Sequence, residues 1–555
     1  MNQPVISKTD IEREAIAFPK LEACEIEVAK QCGRVEIYQP GESLYHAGDQ
    51  PVDCFIIVTG QVEIIDPSGD EERILLEYGP GNFSGEMAIL TQRPSTSSCH
   101  AITHCETVRL TAAEMRHLMV KCSSLGEKWI PALLRRRELM EKAGFEGLRV
   151  FGERSDRATL YVREFLHRNG VLHHWLDTAD PIIAQTAAAL GPAPLQYPLV
   201  VCSRHIVLQN PTLPELAAHT GILRTIPEGV FDTVIIGAGP SGLGAAVYAA
   251  SEGLRTLVLD TLGPGGQAGA SARIENYAGF PAGVSGHDLA LRTYLQGLKF
   301  GAIFSAPHVV SAVRRVDHGL HEVSTEEGIG VKTKTVIVTS GVTYRMLDVA
   351  GLAELRGCGV YYAATQIEAM LCQDLPVHII GAGNSAGQAA MFLSGFSSKV
   401  TLVIRSGDLR KSMSSYLSER VELNPRINIR LHTELRGIEG TVRLEKVHLE
   451  NTATGQTSIE DSSGVFIFIG ATPCTGFLGD AVLKDDKGFV VTGNELTASG
   501  KWPLPDRFPL PLETSSPGVF VAGDCRSRTT KRVAFAVGDG ALAVTCVHDL
   551  LSTYL

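Results

Sequence analysis

None of the twelve cysteines in this 555-residue chain forms a C-x-x-C pair, and none sits with histidine in a zinc-ligand spacing. A structural zinc and a local redox dithiol are therefore both unexpected. No long basic run is present and the net charge is −11, which argues against a nucleic-acid partner. No uncharged apolar stretch reaches the ~18 residues that suggest a membrane-spanning helix. The opening MNQPVISKTDIEREAIAFPK has no apolar core of the kind a secretory signal carries. Together these absences predict a cytoplasmic protein, in which structural disulfides are disfavoured and most cysteines act as small buried hydrophobes.

The length predicts about three to four domains. Residues 20–143 open with β-branched and apolar runs, Asp53-Cys-Phe-Ile-Ile-Val-Thr and Gln61-Val-Glu-Ile-Ile among them, broken at short spacing by Gly, Pro and Asp. That pattern predicts a small β-barrel or jelly roll. A capping box at Thr111-Ala-Ala-Glu114 then starts a helical stretch over 111–143. Residues 147–227 read as a small α/β unit: a strand at 148–151, an amphipathic helix at 158–169, a strand pair at 199–202 and 205–208, and a helix at 213–219.

From Phe231 onward two strand–glycine turn–helix units appear. In the first, the strand 233–236 runs into Gly237-Ala-Gly239-Pro240-Ser241-Gly242 and a helix rich in small residues. Gly237 permits the tight turn, Gly239 the approach of a pyrophosphate, and Gly242 close helix–strand packing. The helix N-terminus faces the phosphates. Asp260 ends the next strand roughly 20 positions on, where a ribose-binding carboxylate belongs. In the second unit, the strand 376–380 leads into Gly381-Ala-Gly383-Asn384-Ser385-Ala386, the variant ending in alanine. Its next strand ends at Arg405 rather than an acid. A cation there suits a 2′-phosphate, so NADPH is expected over NADH, with Arg410 and Lys411 as further cations.

Residues 231–550 resemble bacterial thioredoxin reductase. Pro264-Gly-Gly266-Gln267 and the segment 274–281, with Asn276, resemble the stretches that wrap FAD. Thr339-Ser-Gly341 resembles the family's strand-end turn. The run ending Gly523-Asp524 resembles its second FAD motif, whose Asp binds the ribityl chain. Lys531-Arg532-Val533 resembles the start of the helix that lies against the flavin ring. The resemblance implies an FAD domain at 231–346 and 476–555 with an NADPH domain, 347–475, inserted in it, and a homodimer.

One departure defines the problem. Where the family carries C-A-T-C, this chain reads Ala363-Ala-Thr-Gln366. Neither residue attacks a disulfide. Cys358 and Cys525 are the nearby candidates for a substitute thiol.

The unit at 147–227 resembles a glutaredoxin or thioredoxin fold, with Tyr197-Pro198 as its cis-proline loop. Ser155-Asp-Arg-Ala-Thr159 stands where that fold's dithiol would be. Residues 20–143 resemble a cyclic-nucleotide-binding domain, with Phe83–Leu90 as its phosphate cassette. The resemblance assigns the ribose to Glu86 and the cyclic phosphate to the amides of Gly85, Glu86, Met87 and Ala88. The family's arginine after the cassette proline is Ser95 here, and Arg93 lies two residues early. No helix-turn-helix follows, which excludes a transcription factor.

The expected fold class is thus multidomain α/β: a β-roll, a thioredoxin-like unit and two Rossmann-like nucleotide domains. The expected function is an NADPH-dependent FAD oxidoreductase whose electrons pass from flavin to oxygen, a quinone or a redox protein. The N-terminal module would tune it by binding a cyclic nucleotide or another small ligand. A disulfide reductase using a cysteine outside the motif, and a non-enzymatic FAD- and nucleotide-binding sensor, are the alternatives.

Overall fold

The structure is a computed structural model. It describes residues 14–553 except 51, 68–71, 86–88, 90, 92, 143–146, 155, 191–193, 204–205, 272, 317–318, 353–354, 356–357, 363 and 365. The chain clusters into two units. One runs to Arg154 and takes in Tyr161–Ile226 and Leu295–Pro307; the other holds Ser155–Leu160, Pro227–Tyr294 and His308–Leu555.

The first unit begins with helix α1 (Ala23–Cys32) and eight strands: β1 (Arg34–Tyr38), β2 (Ser43–Tyr45), β3 (Cys54–Thr59), β4 (Val62–Asp66), β5 (Arg73–Tyr78), β6 (Phe83–Ser84), β7 (Ser98–Ala101) and β8 (Cys105–Leu110). They form two antiparallel four-stranded sheets, ordered β1-β8-β3-β6 and β2-β7-β4-β5. Alternating apolar residues from both, Phe55, Ile57, Val62, Ile64 and Leu76 among them, share one core. The helical stretch divides at Cys122 into α2 (Ala112–Lys121) and α3 (Ser123–Lys142). The capping box forms as expected: Thr111 Oγ1 accepts from Glu114 N, and the Glu114 carboxylate accepts from Thr111 N.

Next come β9 (Leu148–Gly152), α4 (Arg157–Arg168), β10 (His173–Asp177), α5 (Pro181–Ala188), β11 (Leu199–Ser203), β12 (Ile206–Gln209) and α6 (Leu213–Thr220). The sheet order is β10-β9-β11-β12, with β9 and β10 parallel and β11 antiparallel to both its neighbours. The Tyr197–Pro198 peptide is cis. Of the residues read as strand, His205 lies outside those described. Sequence reading missed β10 and α5. His173-His-Trp-Leu-Asp has no apolar alternation, and none of its residues is fully buried.

The second unit carries β13 (Phe231–Ile236), α7 (Pro240–Ser251), β14 (Thr256–Leu259), β15 (Val310–Arg315), β16 (His321–Thr325), β17 (Gly330–Val338) and β18 (Val342–Tyr344). A second strand–helix alternation follows: β19 (Val360–Tyr361), α8 (Gln366–Leu371), β20 (Pro376–Ile380), α9 (Asn384–Leu393), β21 (Lys399–Val403), α10 (Ser415–Leu423), β22 (Ile427–Arg430), a three-stranded meander over 433–461, and β23 (Gly464–Ile467). The chain returns through β24 (Ala471–Pro473) to β25 (Val519–Val521) and ends in α11 (Val533–Thr553).

Strands β14, β13, β17 and β25 are mutually parallel where they pair, and β16 and β15 continue the sheet antiparallel. The second sheet is wholly parallel, ordered β19-β23-β20-β21-β22. Near-continuous apolar runs in these strands fit burial on both faces. α11 is long and apolar enough to cross a membrane by composition alone. It packs instead along α7, where a Cβ at Gly244 would lie 3.1 Å from Val537 O and one at Gly540 2.9 Å from Ala245 N. Glycines let the two backbones approach.

Candidate functional site: two glycine cradles and a missing dithiol

The turn after β13 is bare backbone held tightly. Gly237 has φ +108, and a Cβ there would stand 2.5 Å from Thr339 O. A Cβ on Gly242 would overlap Gly237 O and lie 2.6 Å from Thr339 Oγ1. Gly239 differs: only Gly266 Cα lies near its Cβ position, at 3.8 Å. Gly239 caps α7 with no side-chain acceptor, and Pro240 follows at the first helical position. The free N–H groups of that helix end therefore face an open, glycine-lined space. Ser241 is buried and its hydroxyl has no partner among the described residues. An unpaired buried hydroxyl beside a bare helix end fits a bound dinucleotide.

Asp260 braces this turn from below. Its carboxylate accepts from Ala238 N at 2.6 Å, Gly263 N at 2.7 Å and Leu262 N at 2.8 Å. The acid read as a ribose ligand thus also fixes the loop. Gln267 donates to Val342 O at 3.3 Å. Asn276 is exposed on the segment 274–281.

Gly523 backs onto Ser241, 3.2 Å from the hydroxyl by its Cβ position. Asp524 follows; burial and the nearby Asp539 raise its pKa, while Lys531 opposes the rise. Burial lowers the Lys531 pKa in turn, with Arg345 adding to the fall and Asp524 resisting it. Arg532 is exposed just before Val533, the first residue of α11.

The second cradle repeats the design. Gly381 has φ +144 and its Cβ position is filled by Phe468 O, whereas Gly383 caps α9 in open space. Asn384 Oδ1 accepts from Ser414 N at 2.8 Å, and Ala386 is buried. At the end of β21, Arg405 is exposed with no side-chain partner among the described residues. Arg410 is not free: it pairs with Glu422 at 2.7 Å. A cleft of about 290 Å³ joins the two sites, lined by Gln267, Ala270, Arg273, Ala364, Ser385 and Phe468. Arg420 of α10 and Glu275 form an ion pair at its rim.

Ala363 lies outside the described residues. Gln366 opens α8, and Ala364 between the two positions is buried. The substitute thiols are poorly suited to attack. Cys525 is fully buried and its pKa is pushed up to about 11 by burial. Burial also raises the Cys358 thiol. A nucleophilic cysteine needs the opposite shift.

In the first unit, Gly85 has φ +84 and packs on Asp53 O. Glu86, Met87 and Ala88 lie outside the described residues. Ser95 is tied up locally, its hydroxyl donating to Ser97 O at 2.7 Å and its N–H to Asp49 O at 3.1 Å. Arg93 donates to Asn169 O at 2.6 Å, just past α4. Arg224 donates to Thr91 O, and Gly221 (φ +67) fits against Pro94. The cassette's tail is thus bound to the ends of α4 and α6. At the start of α4, Asp156 accepts from Thr159 N at 2.8 Å and serves as a helix cap; Ser155 lies outside the described residues.

Two glycine cradles, one on a mixed sheet and one on a parallel sheet inserted in the same chain, define a two-nucleotide flavoprotein oxidoreductase. Residues 231–540 match the pyridine nucleotide-disulphide oxidoreductase family, and the chain belongs to it. Residues 35–122 match the cyclic nucleotide-binding domain family. The chain is 34% identical over 327 residues to a thioredoxin reductase of Treponema pallidum, covering 99% of that protein and 59% of this chain. It is 30% identical over 322 residues to the Bacillus subtilis thioredoxin reductase, 95% of that protein and 58% of this chain. Among solved structures, the T. acidophilum thioredoxin reductase superposes with a TM-score of 0.53 at 28% identity, covering all of that chain and 59% of this one. The Lactococcus lactis enzyme gives 0.51 at 28%, covering 99% and 58%. The protein is an FAD-containing, NADPH-dependent flavoprotein oxidoreductase of the thioredoxin reductase-like type.

Proposed function

We propose that this oxidoreductase passes electrons from its flavin straight to an acceptor, without the protein dithiol of its relatives, and that the N-terminal module regulates it. The observation that carries this reading is the pair Ala363 and Gln366 where the dithiol would stand, beside two nucleotide cradles with their glycines in place. The raised pKa values of Cys358 and Cys525 support it against a disulfide reductase using another thiol.

Gly237, Gly239 and the N-terminus of α7 would hold the FAD pyrophosphate, Asp260 its adenosine ribose and Asp524 its ribityl chain. Gly381, Gly383 and the N-terminus of α9 would hold the NADPH pyrophosphate, with Arg405 at the 2′-phosphate. Bound flavin supplies the two-electron carrier between nucleotide and acceptor. The cleft lined by Gln267, Ala364 and Ser385 takes residues from both sites, which supports a direct path between them.

An anaerobic titration tests the reading. NADPH should bleach the flavin absorption band stoichiometrically with no protein disulfide consumed, and NADH should do so poorly. A flavin that NADPH leaves oxidised would refute it and favour a sensor.

A further inference from the structure

Helix α11 leaves an apolar face uncovered. The helix is apolar enough along its length to cross a membrane, yet only 39% of that stretch is buried. Its inner side is accounted for: Val537 and Gly540 meet α7, and His548 pairs with Glu252 at 2.8 Å. Phe535, Gly538, Leu542, Thr545 and Asp549 are all exposed. Their alternating spacing of three and four residues puts them on one face, the pattern of a helix that packs against another helix. Phe535 is 54% exposed and Leu542 42%. Tyr248, between Gly244 and Glu252 on the side of α7 that meets α11, is 45% exposed and widens the patch.

Two features of this face have no reason within the chain. At Gly540 a Cβ would overlap Ser241 O, which explains the glycine; at Gly538 a Cβ would meet nothing within 4 Å. Glycine is a poor helix former, so an exposed glycine in mid-helix marks room left for a neighbour. The charges also run the wrong way. Arg532 stands at the positive N-terminal end of the helix dipole and Asp549 near its negative C-terminal end, each against the favourable sign. Neither side chain has a hydrogen-bond or ion-pair partner among the described residues.

We propose that this face docks onto the same face of a second copy of this chain, with the two α11 helices antiparallel about a two-fold axis. A two-fold contact pairs each residue with one on the far side of the axis. With the axis at Gly540, Gly538 receives the partner's Leu542, Phe535 lies against the partner's Thr545, and Arg532 meets the partner's Asp549. The space left at Gly538 seats the leucine. Both misplaced charges find their opposites, once at each end of the contact. A parallel pair would instead set arginine beside arginine and aspartate beside aspartate. A lipid surface suits the face less well, because Asp549 lies in the middle of its C-terminal half and the chain carries a net charge of −11.

Sedimentation velocity of the full-length, FAD-loaded protein over a micromolar concentration series tests this. Wild type should approach twice the 59.6 kDa chain mass. Leu542→Arg should raise the dimer Kd about a hundredfold. Gly538→Gln should raise it about tenfold by filling the seat of the leucine, yet raise the melting temperature of the dilute monomer by about 2 °C, because glutamine is the better helix former. That second variant serves should the arginine disturb folding. Asp549→Arg should weaken the dimer about tenfold, and adding Arg532→Asp should restore it to within about threefold of wild type. A wild type that stays monomeric, or a dimer whose Kd is unmoved by Leu542→Arg and Gly538→Gln, would overturn the proposal. No recovery in the doubly reversed variant would overturn the antiparallel register. Co-sedimentation of a monomeric wild type with phosphatidylcholine vesicles, lost in Leu542→Arg, would assign the face to lipid instead. None of these readouts involves NADPH or an acceptor, so their failure is separate from failure of the functional reading.

Discussion

Replacing Gly239 or Gly242 by alanine separates what the chain needs for folding from what it needs for FAD. At Gly242 the added methyl overlaps Gly237 O and lies 2.6 Å from Thr339 Oγ1. Neither neighbour can yield easily, since Thr339 Oγ1 donates to Ile236 O at 3.0 Å and Gly237 O at 2.8 Å. Overpacking of fixed backbone costs about 3 kcal/mol or more. For a unit of this size that corresponds to roughly 6–10 °C in the melting temperature of the flavin-free protein. At Gly239 the methyl meets nothing closer than 3.8 Å, and φ is −71°. The flavin-free melting temperature should therefore stay within about 3 °C, a loss of at most about 1 kcal/mol at a helix cap. FAD affinity should nevertheless fall about tenfold or more, close to 1.4 kcal/mol, because the methyl stands where the pyrophosphate approaches. Differential scanning calorimetry of deflavinated protein and a flavin fluorescence titration measure the two quantities. Equal destabilisation of both flavin-free variants, or undiminished FAD binding by Gly239→Ala, would refute the argument.

Three further outcomes are expected. Arg405→Ala should raise the KM for NADPH about tenfold while sparing NADH, whereas Arg410→Ala, already paired with Glu422, should have the smaller effect in the same steady-state assay. Ser95→Arg should strengthen cyclic AMP binding about tenfold in calorimetric titration, by restoring a cation to a cassette whose own Arg93 is bound to Asn169 O. Burial holds His321 and His378 at about 4, below the usual 6.5 of histidine, so their neutral forms belong to the folded state. The stability they support is full above pH 6.5 and is lost as the pH falls toward 4, up to about 3 kcal/mol for each. Chemical denaturation from pH 7 to pH 4.5 should show that decline, and His378→Gln should flatten it.

The two cradles were legible because glycine spacing, small helical residues and the strand runs all pointed to the same local geometry. The capping box at Thr111 was readable for the same reason: three residues carry the whole signal. Other features depend on contacts between distant parts of the chain. Arg93 reaches a carbonyl 76 residues away, and nothing local to the cassette announces that partner. Asp260 was recognised by position as a ribose acid, yet its three backbone donors come from the fold of two loops around it. Arg410 looked available beside Arg405 until α10 brought Glu422 against it. The strand β10 escaped because its half-exposed edge position leaves His-His-Trp without an alternating pattern.

Both passages of the chain between the nucleotide domains run through a single ribbon, β18 against β24, with Val342 opposite Pro473 and Tyr344 opposite Ala471. Ser340 Oγ bonds to Cys474 O at 2.7 Å and Arg345 N to Gly470 O at 2.9 Å, so the pairing extends past both ends of the strands. Two separate tethers would let one domain slide, tilt and rotate independently of the other. A laced pair behaves as one torsion bar: it resists shear and stretching through its ladder, and yields chiefly by twisting about its own length. Any motion of one domain against the other that this ribbon permits would therefore be chiefly an angle about its length.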